Sequence, residues 1–434
     1  MKFEKLSIDL IKKISKIKQE PKWMLDFRLE SYKLFLEQDL PKFGPKIDID
    51  FDELCYYKSP NQKETDDWDL VDGQIRNEFN QLGVIEAEEK YLSGVANQYE
   101  SEVIYHKLND QGDNGIIFLS TDEALKKYPV LFKKYFGSLV KNNENKFTAL
   151  NGALWSGGSF IYLPPNTKID RPLQSYFRIN SASLGQFERT IIIVDEGAEL
   201  SYIEGCTAPQ HLASSLHAGV VEIFVLKNAK CRYTTIQNWS TDVYNLVTKR
   251  SEVLEHGIME WIDGNLGSKT TMKYPSCILK GDYAVGNSIS IAYARKGQYL
   301  DAGAKMIHLG KYTKSNIIAK SIATDNGVSN YRGTCRISKE AIFSEAKIKC
   351  DTILLSSEAS SNTYPKNILG NTSSVLEHEA TISRVSAEKM FYLQSKGLSE
   401  NMAKELLIMG FIDNFKKELP MEYAVELNRL IKSE

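Results

Sequence analysis

No run of 18 apolar residues occurs anywhere in this 434-residue chain, so no membrane-spanning helix is expected. The opening MKFEKLSIDLIKKISKIKQE carries Lys and Glu throughout and lacks the apolar core and small-residue cleavage site of a secretory signal. Neither sign of charge dominates. The 54 basic and 56 acidic residues give a formal net charge of −2, which argues against a nucleic-acid binder. Cysteine is scarce: Cys55, Cys206, Cys231, Cys277, Cys335 and Cys350 form no CxxC pair and no Cys/His group at zinc-finger spacing. A disulfide scaffold is therefore not expected, and reduced thiols in a cytoplasmic protein are the simplest reading. Phosphate loops are missing too. In GNLGSKT (264–270) Gly267 is followed by Ser268 where a Walker loop needs Lys, so a turn leading into a strand is expected there. No GxGxxG follows a strand, and neither GxSxG nor HExxH occurs.

What the chain does contain is repetition between Phe187 and Arg384. Five times an apolar β-branched run meets a tight turn and continues as an alternating run, as in IIIVDEGAELSYIEG and EIFVLKNAKCRYTTIQN. The turn residues Gly197, Asn228, Gly257, Gly297 and Gly327 recur 31, 29, 40 and 30 positions apart. Gly and Asn tolerate positive φ, so the recurrence marks a repeated corner. A solenoid of strands is favoured over a two-sheet sandwich, which would also alternate strands and turns.

Helical periodicity brackets this body. Residues 7–19, Trp23–Leu36, Thr65–Gln81 and Val84–Asn97 read as helices, followed by strands VIYHKL and GIIFLS and a helix Thr121–Phe136. Phe147–Pro164 reads as a Gly/Ser-punctuated β segment. After Arg384 three helices are expected, Ser386–Ser395, Ser399–Met409 and Met421–Ile431.

The chemistry on offer is soft: Cys206 in EGCTAP, Cys350 in KIKCDTILL, and His378–Glu379 in LEHEATISR. Thiolate, imidazole and carboxylate together suit thiol catalysis or binding of iron or zinc. Each alone has a plainer account, since a lone Cys in an apolar strand is usually a small buried hydrophobe. Adjacent strand residues also point to opposite faces, so His378 and Glu379 converge only at an end, a bulge or an interface. Spacing leaves a cluster-binding scaffold, a hydrolase or transferase with Cys206 or Cys350 as nucleophile and His378 as base, and a purely structural solenoid all open.

Long blocks go further. ALNGALWSGGSFIYLP, GQFERTIIIVDEGAELSYIEGCTAP, TTIQNWS, GSKTTMKYPSC, EHEATISR and QSKGLSENMAKELLIMGFIDNF stand in the order found in the SufB family, the scaffold component of the SUF iron–sulfur cluster assembly system. The chain resembles that family over roughly residues 85–434. The resemblance implies a mostly β fold, with a right-handed parallel β-helix over 146–384 between an N-terminal helical and mixed domain (1–145) and a C-terminal helical domain (385–434). It implies a scaffold, not an enzyme, that works with the SufC-type ABC ATPase and with SufD or a second SufB copy. A cysteine desulfurase system would donate sulfur, and ATP would be hydrolysed by SufC docked on the C-terminal helices. By the same resemblance Cys206 accepts sulfur, and Arg178, Asn180, Gln237, Trp239 and Lys249 line a passage. Cys350 and Glu379 would hold a transient iron–sulfur cluster, with His378 the less secure ligand; some relatives carry reduced flavin in the complex. A SufD-like partner that holds no cluster is the alternative. Three departures stand out: no multi-cysteine motif at the N-terminus, a short segment between Trp239 and Tyr244, and QSKG (394–397) after Leu393, where many relatives have a cysteine.

Overall fold

The computed structural model describes residues 5–109, 115–211 and 213–418. Its centre is a parallel β-solenoid of about eight turns with helices at both ends. Two sheets face each other across a common interior. The first runs from a hairpin, Gly94–Tyr99 with Glu102–Leu108, through parallel strands Leu173–Arg178, Glu199–Thr207, Lys230–Asn238, Ile258–Asn265, Val285–Ala294, Lys314–Ala323, Glu345–Leu354 and Val375–Arg384. The second runs from Ile117–Ser120 and Ser159–Leu163 through Arg189–Val194, Val220–Val225 and Val243–Val253. It then passes through the split pair Thr270–Lys273 and Ser276–Leu279 to Tyr299–His308, Val328–Ile337 and Thr363–Leu369. Apolar residues at alternate positions fill the space between them, from Leu173, Ile192 and Ile223 to Ile317 and Ile337.

The coil is imposed at its corners. Gly197, Asn228, His256, Tyr283, Tyr312 and Phe343 all have φ between 55° and 68° and occupy equivalent turns. The expected corners Gly197 and Asn228 are among them, whereas the third left-handed residue is His256 and not Gly257. Gly297 belongs to a different corner, which explains the interval of 40. Left-handed backbone costs a non-glycine residue roughly 1–2 kcal/mol. Here the cost is offset by ring stacking, with His256, Tyr283, Tyr312 and Phe343 in one ladder at 4.9, 4.9 and 5.3 Å.

Five local readings need correction. The helix expected over Thr65–Gln81 is a 3-10 turn at Trp68–Leu70 followed by an α-helix at Gly73–Gln81 that Asp72 caps. The helix at Val84 stops at Tyr91, and Gly94–Tyr99 is a fully buried strand. Lys146–Leu154 is a helix, because Asn145 caps the Phe147 and Thr148 amides and Thr148 caps back. Thr121–Phe136 is two helices, Thr121–Lys127 and Pro129–Tyr135, divided at Pro129. Ser399–Met409 extends to Lys416, and Met421–Ile431 lies outside the described residues.

The helical ends are tied to the coil differently. Arg28, fully buried on the helix Lys22–Glu37, donates to Glu20 at 2.8 Å and to the carbonyls of Ala153 and Trp155 at 3.1 and 2.9 Å. At the other end Ile408, Ile412 and Phe415 pack on the outward face of the first sheet, against Ile236, Ile262 and Ile291.

Candidate functional site: two thiols in one lumen

Strand alternation decides which side chains enter the interior. In the first sheet one inward row reads Glu204, Thr235, Asp263, Ser290, Ala319, Cys350. The neighbouring inward row reads Cys206, Gln237, Asn265, Ala292, Ser321, Thr352. The two cysteines therefore face one interior, with Glu204, two residues before Cys206, in the row that reaches Cys350 and continues to Ala380. Five inter-strand steps of about 4.8 Å separate Glu204 from Cys350, roughly 24 Å in all. Between them the rows are polar or small, unlike the apolar rows beside them.

Cys206 is fully buried, and its sulfur lies 3.8 Å from Glu204 Oε1. Burial, with the Glu204 charge adding, pushes its thiol well above the ordinary range. Glu204 also accepts hydrogen bonds from Lys249 Nζ at 3.0 Å and from the Tyr233 hydroxyl. Burial works to raise Glu204, but Lys249 and Tyr233 outweigh it and hold the carboxyl low. Burial works to lower Lys249, and Glu204 and Asp263 outweigh that. The pair is thus ionised in a dry interior.

A second buried group lies alongside. Lys273 Nζ donates to Asp263 at 3.1 Å and to Gln237 Oε1 at 3.0 Å, and Asn245 Nδ2 donates to the same Gln237 oxygen at 2.8 Å. His217 is 2.8 Å from both Asn245 Oδ1 and Glu188 Oε1, and Trp239 lies against its ring at 4.7 Å. Gln237 Nε2, Trp239 Nε1 and Asn265 Oδ1 have no partner among the described residues. Each such group costs about 1–3 kcal/mol unless a water or another polar group pairs with it.

Gln237, Trp239 and Lys249 therefore sit inside with Cys206, whereas Arg178 does not. Arg178 points outward, 3.5 Å from Glu78 and 3.2 Å from Thr207 Oγ1. Asn180 follows the end of its strand, its amide held by Glu100 Oε2 at 3.1 Å.

Cys350 occupies the penultimate strand of the first sheet, 3% exposed, and burial pushes its thiol up to about 12, with Tyr331 pulling the other way. His378 Nε2 from the last strand is 3.7 Å from its sulfur. Asn367 Nδ2, from the last strand of the second sheet, lies 3.0 Å from His378 Nδ1 and orients the ring so that Nε2 faces the thiol. Glu379 is not brought to Cys350. It faces outward, its side chain 65% exposed and 3.6 Å from Lys349, as alternation requires of the residue after His378. Among the described residues no three His, Cys, Asp or Glu side chains are arranged to hold a metal ion.

Sequence reasoning missed Glu204, Asp263, Lys273, His217 and Asn367. Charged residues in strands ordinarily face water, so they drew no notice; the available signal was parity, since Glu204 shares the face of Cys206.

Residues 177–411 match the family profile described as "SUF system FeS cluster assembly, SufBD core domain", and residues 69–175 match "SufBD protein N-terminal region". The chain belongs to the SufBD family. Similar SufBD relatives include the iron–sulfur cluster assembly SufBD family proteins of Staphylococcus haemolyticus and of Staphylococcus aureus strain MRSA252. They are 54% and 55% identical over 431 residues, which is 99% of this chain and 93% of each relative. The SufBD core match spans both thiols, and the N-terminal match covers the hairpin that opens the first sheet. Among the described residues no helix is long and apolar enough to cross a membrane.

Proposed function

We propose that this SufBD protein is the SufB-type scaffold on which a new iron–sulfur cluster is assembled. The observation that carries the reading is the placement of Cys206 and Cys350 on adjacent inward rows of one interior, five strands apart. Sulfur arrives as a persulfide from a desulfurase system. The Cys206 thiolate attacks the outer sulfur, the donor thiolate leaves, and the proton lost by Cys206 is taken up by that leaving thiolate. Lys249, Gln237 and Trp239 line the path, and Arg178 and Asn180 brace its mouth from outside.

Iron is bound at the other end by Cys350 and His378, a mixed ligand set that holds a cluster less firmly than four thiolates and suits its release. Glu379 takes the place of His378 on movement of the last strand. That strand is an edge, and a one-residue slip would exchange His378 for Glu379 on the inner face.

The same edge recruits partners. Ile368, Leu369, Val375 and Ile382 on the last coil are 42–52% exposed, an apolar margin suited to SufD or a second copy of the chain. Phe391 and Tyr392, 73% and 61% exposed on the C-terminal helices, suit a SufC-type ATPase. Hydrolysis there would shift these helices and open the Cys350 site, so that the chain itself needs no phosphate loop.

Anaerobic reconstitution with iron and sulfide in the presence of SufC and SufD tests the reading. Visible cluster absorption is expected in the wild type and lost in Cys350→Ala. Retention in Cys350→Ala would favour the SufD-like alternative.

A further inference from the structure

On the outside of the second sheet the wall is interrupted. Val243–Val253 pairs with Thr270–Lys273 through Tyr244–Val247 and with Ser276–Leu279 through Arg250–Val253. Thr248 and Lys249 fall in the gap, where Tyr274 and Pro275 leave the ladder. Over this break, beneath the helix Lys146–Leu154 and the chain after Lys22–Glu37, lies a cleft of about 470 Å³. That is within the usual range for small-molecule sites.

Its cations are not equivalent. Arg250 is closed by Glu144 at 2.8 Å, and Lys146 donates to the carbonyls of Phe35 and Gln38 at 2.8 and 2.7 Å. Lys305 has neither an ion pair nor a side-chain hydrogen bond among the described residues; its Nζ lies 5.5 Å from the centre of the Tyr274 ring. Burial lowers its pKa, with Arg250 adding to the effect and the Glu144 carboxylate, beyond ion-pair distance, opposing it. At the floor Ser276 is 2% exposed, and its hydroxyl has no partner among the described residues. Phe43 and Tyr274, 6.3 Å apart and tilted, form an aromatic wall. A cation without a direct ion pair, a hydroxyl without a partner among the described residues and two aromatic rings together suit an anion carried on a planar body.

We propose that this cleft binds a small aromatic anion, a carboxylate or phosphate on a single ring, with its charge on Lys305 and Ser276 and its ring against Phe43 and Tyr274. Such a ligand would sit across one strand from the Lys249–Glu204 pair beside Cys206, on a site separate from either thiol.

Calorimetric titration of the full chain with benzoate, phenyl phosphate, inorganic phosphate and uncharged benzyl alcohol tests this. At least one charged aromatic probe is expected to bind with a Kd of about 1 mM or tighter, modest for a fragment of roughly ten heavy atoms. Benzyl alcohol and inorganic phosphate should bind at least tenfold more weakly, and the stronger of benzoate and phenyl phosphate identifies the head group. Lys305→Met should weaken that probe at least tenfold and Ser276→Ala about threefold. Phe43→Ala, at a half-exposed position that leaves the fold intact, should cost at least threefold for the aromatic probes alone. Equal binding of benzyl alcohol, wild-type affinity in Lys305→Met or Phe43→Ala, or no saturable heat with any probe would overturn the proposal. Neither iron, sulfide nor a partner is used, so the outcome is independent of the assembly reading.

Discussion

Lys249→Met is the sharpest test of the buried charge beside Cys206. The substitution keeps the aliphatic stem and removes the ammonium 3.0 Å from Glu204, both side chains being no more than 1% exposed. Removing one partner of a buried pair leaves the other charge uncompensated and costs about 3–5 kcal/mol. With a urea slope of about 3 kcal/mol/M, the midpoint should fall by roughly 1–1.7 M. Trp239 and Trp261, both buried in the lumen, give the fluorescence signal. The pH dependence has a definite sign. In the wild type Glu204 is held low, so its contribution is present above the ordinary carboxylate range and is lost as pH falls through its folded value. In Lys249→Met burial is opposed only by the Tyr233 hydrogen bond and the His217 charge, so the folded value rises from its wild-type position. The deficit should therefore be larger at pH 8 than at pH 5. Adding Glu204→Gln should recover at least about 2 kcal/mol, a coupling that only groups in contact show. A midpoint within 0.3 M of wild type, on the same slope of about 3 kcal/mol/M, or no recovery in the double variant, would refute the reasoning.

Cys350, its thiol pushed up to about 12, should resist iodoacetamide at pH 8, while partly exposed Cys55 is alkylated first; mass spectrometry of the peptides reads the order. Tyr312→Ala removes two ring contacts from the corner ladder but keeps a left-handed corner, so thermal melting should report a loss of about 1–3 kcal/mol. Arg28→Met strands Glu20 and two carbonyls under the N-terminal helices, and limited proteolysis should cut there well before the solenoid. In the assembly reading, His378→Ala should lower cluster yield as Cys350→Ala does, whereas Glu379→Ala should do so only with SufC and ATP present.

Much of the coil was legible, because β-branched runs and recurrent turns are local signals. The corner row was only half legible: at His256, Tyr283, Tyr312 and Phe343 a stacking ladder holds the left-handed backbone, and the contacts that favour it lie a full coil apart in sequence. Lys146–Leu154 was misread because its Gly and aromatic content hides a capping box that decides for helix. Within the site, Cys206 and Cys350 stood out by residue type. Glu204, Asp263 and Lys273 did not, since burial of a charge becomes plausible only once its partner from another strand is known. Glu379 illustrates the limit from the other side: neighbouring residues in a strand part company at the backbone, and here His378 turns inward.

The central claim is that sulfur received at Cys206 travels through this lumen to Cys350. The most direct measurement loads Cys206 with isotopically heavy persulfide under anaerobic conditions, adds SufC, SufD and ATP, and follows the label by peptide mass spectrometry. The account predicts that Cys350 gains the heavy sulfur in the wild type and that Lys249→Met/Glu204→Gln, folded but with its buried ion pair removed, slows the gain at least tenfold. Heavy sulfur retained at Cys206, or reaching Cys350 equally fast in that variant, would contradict it.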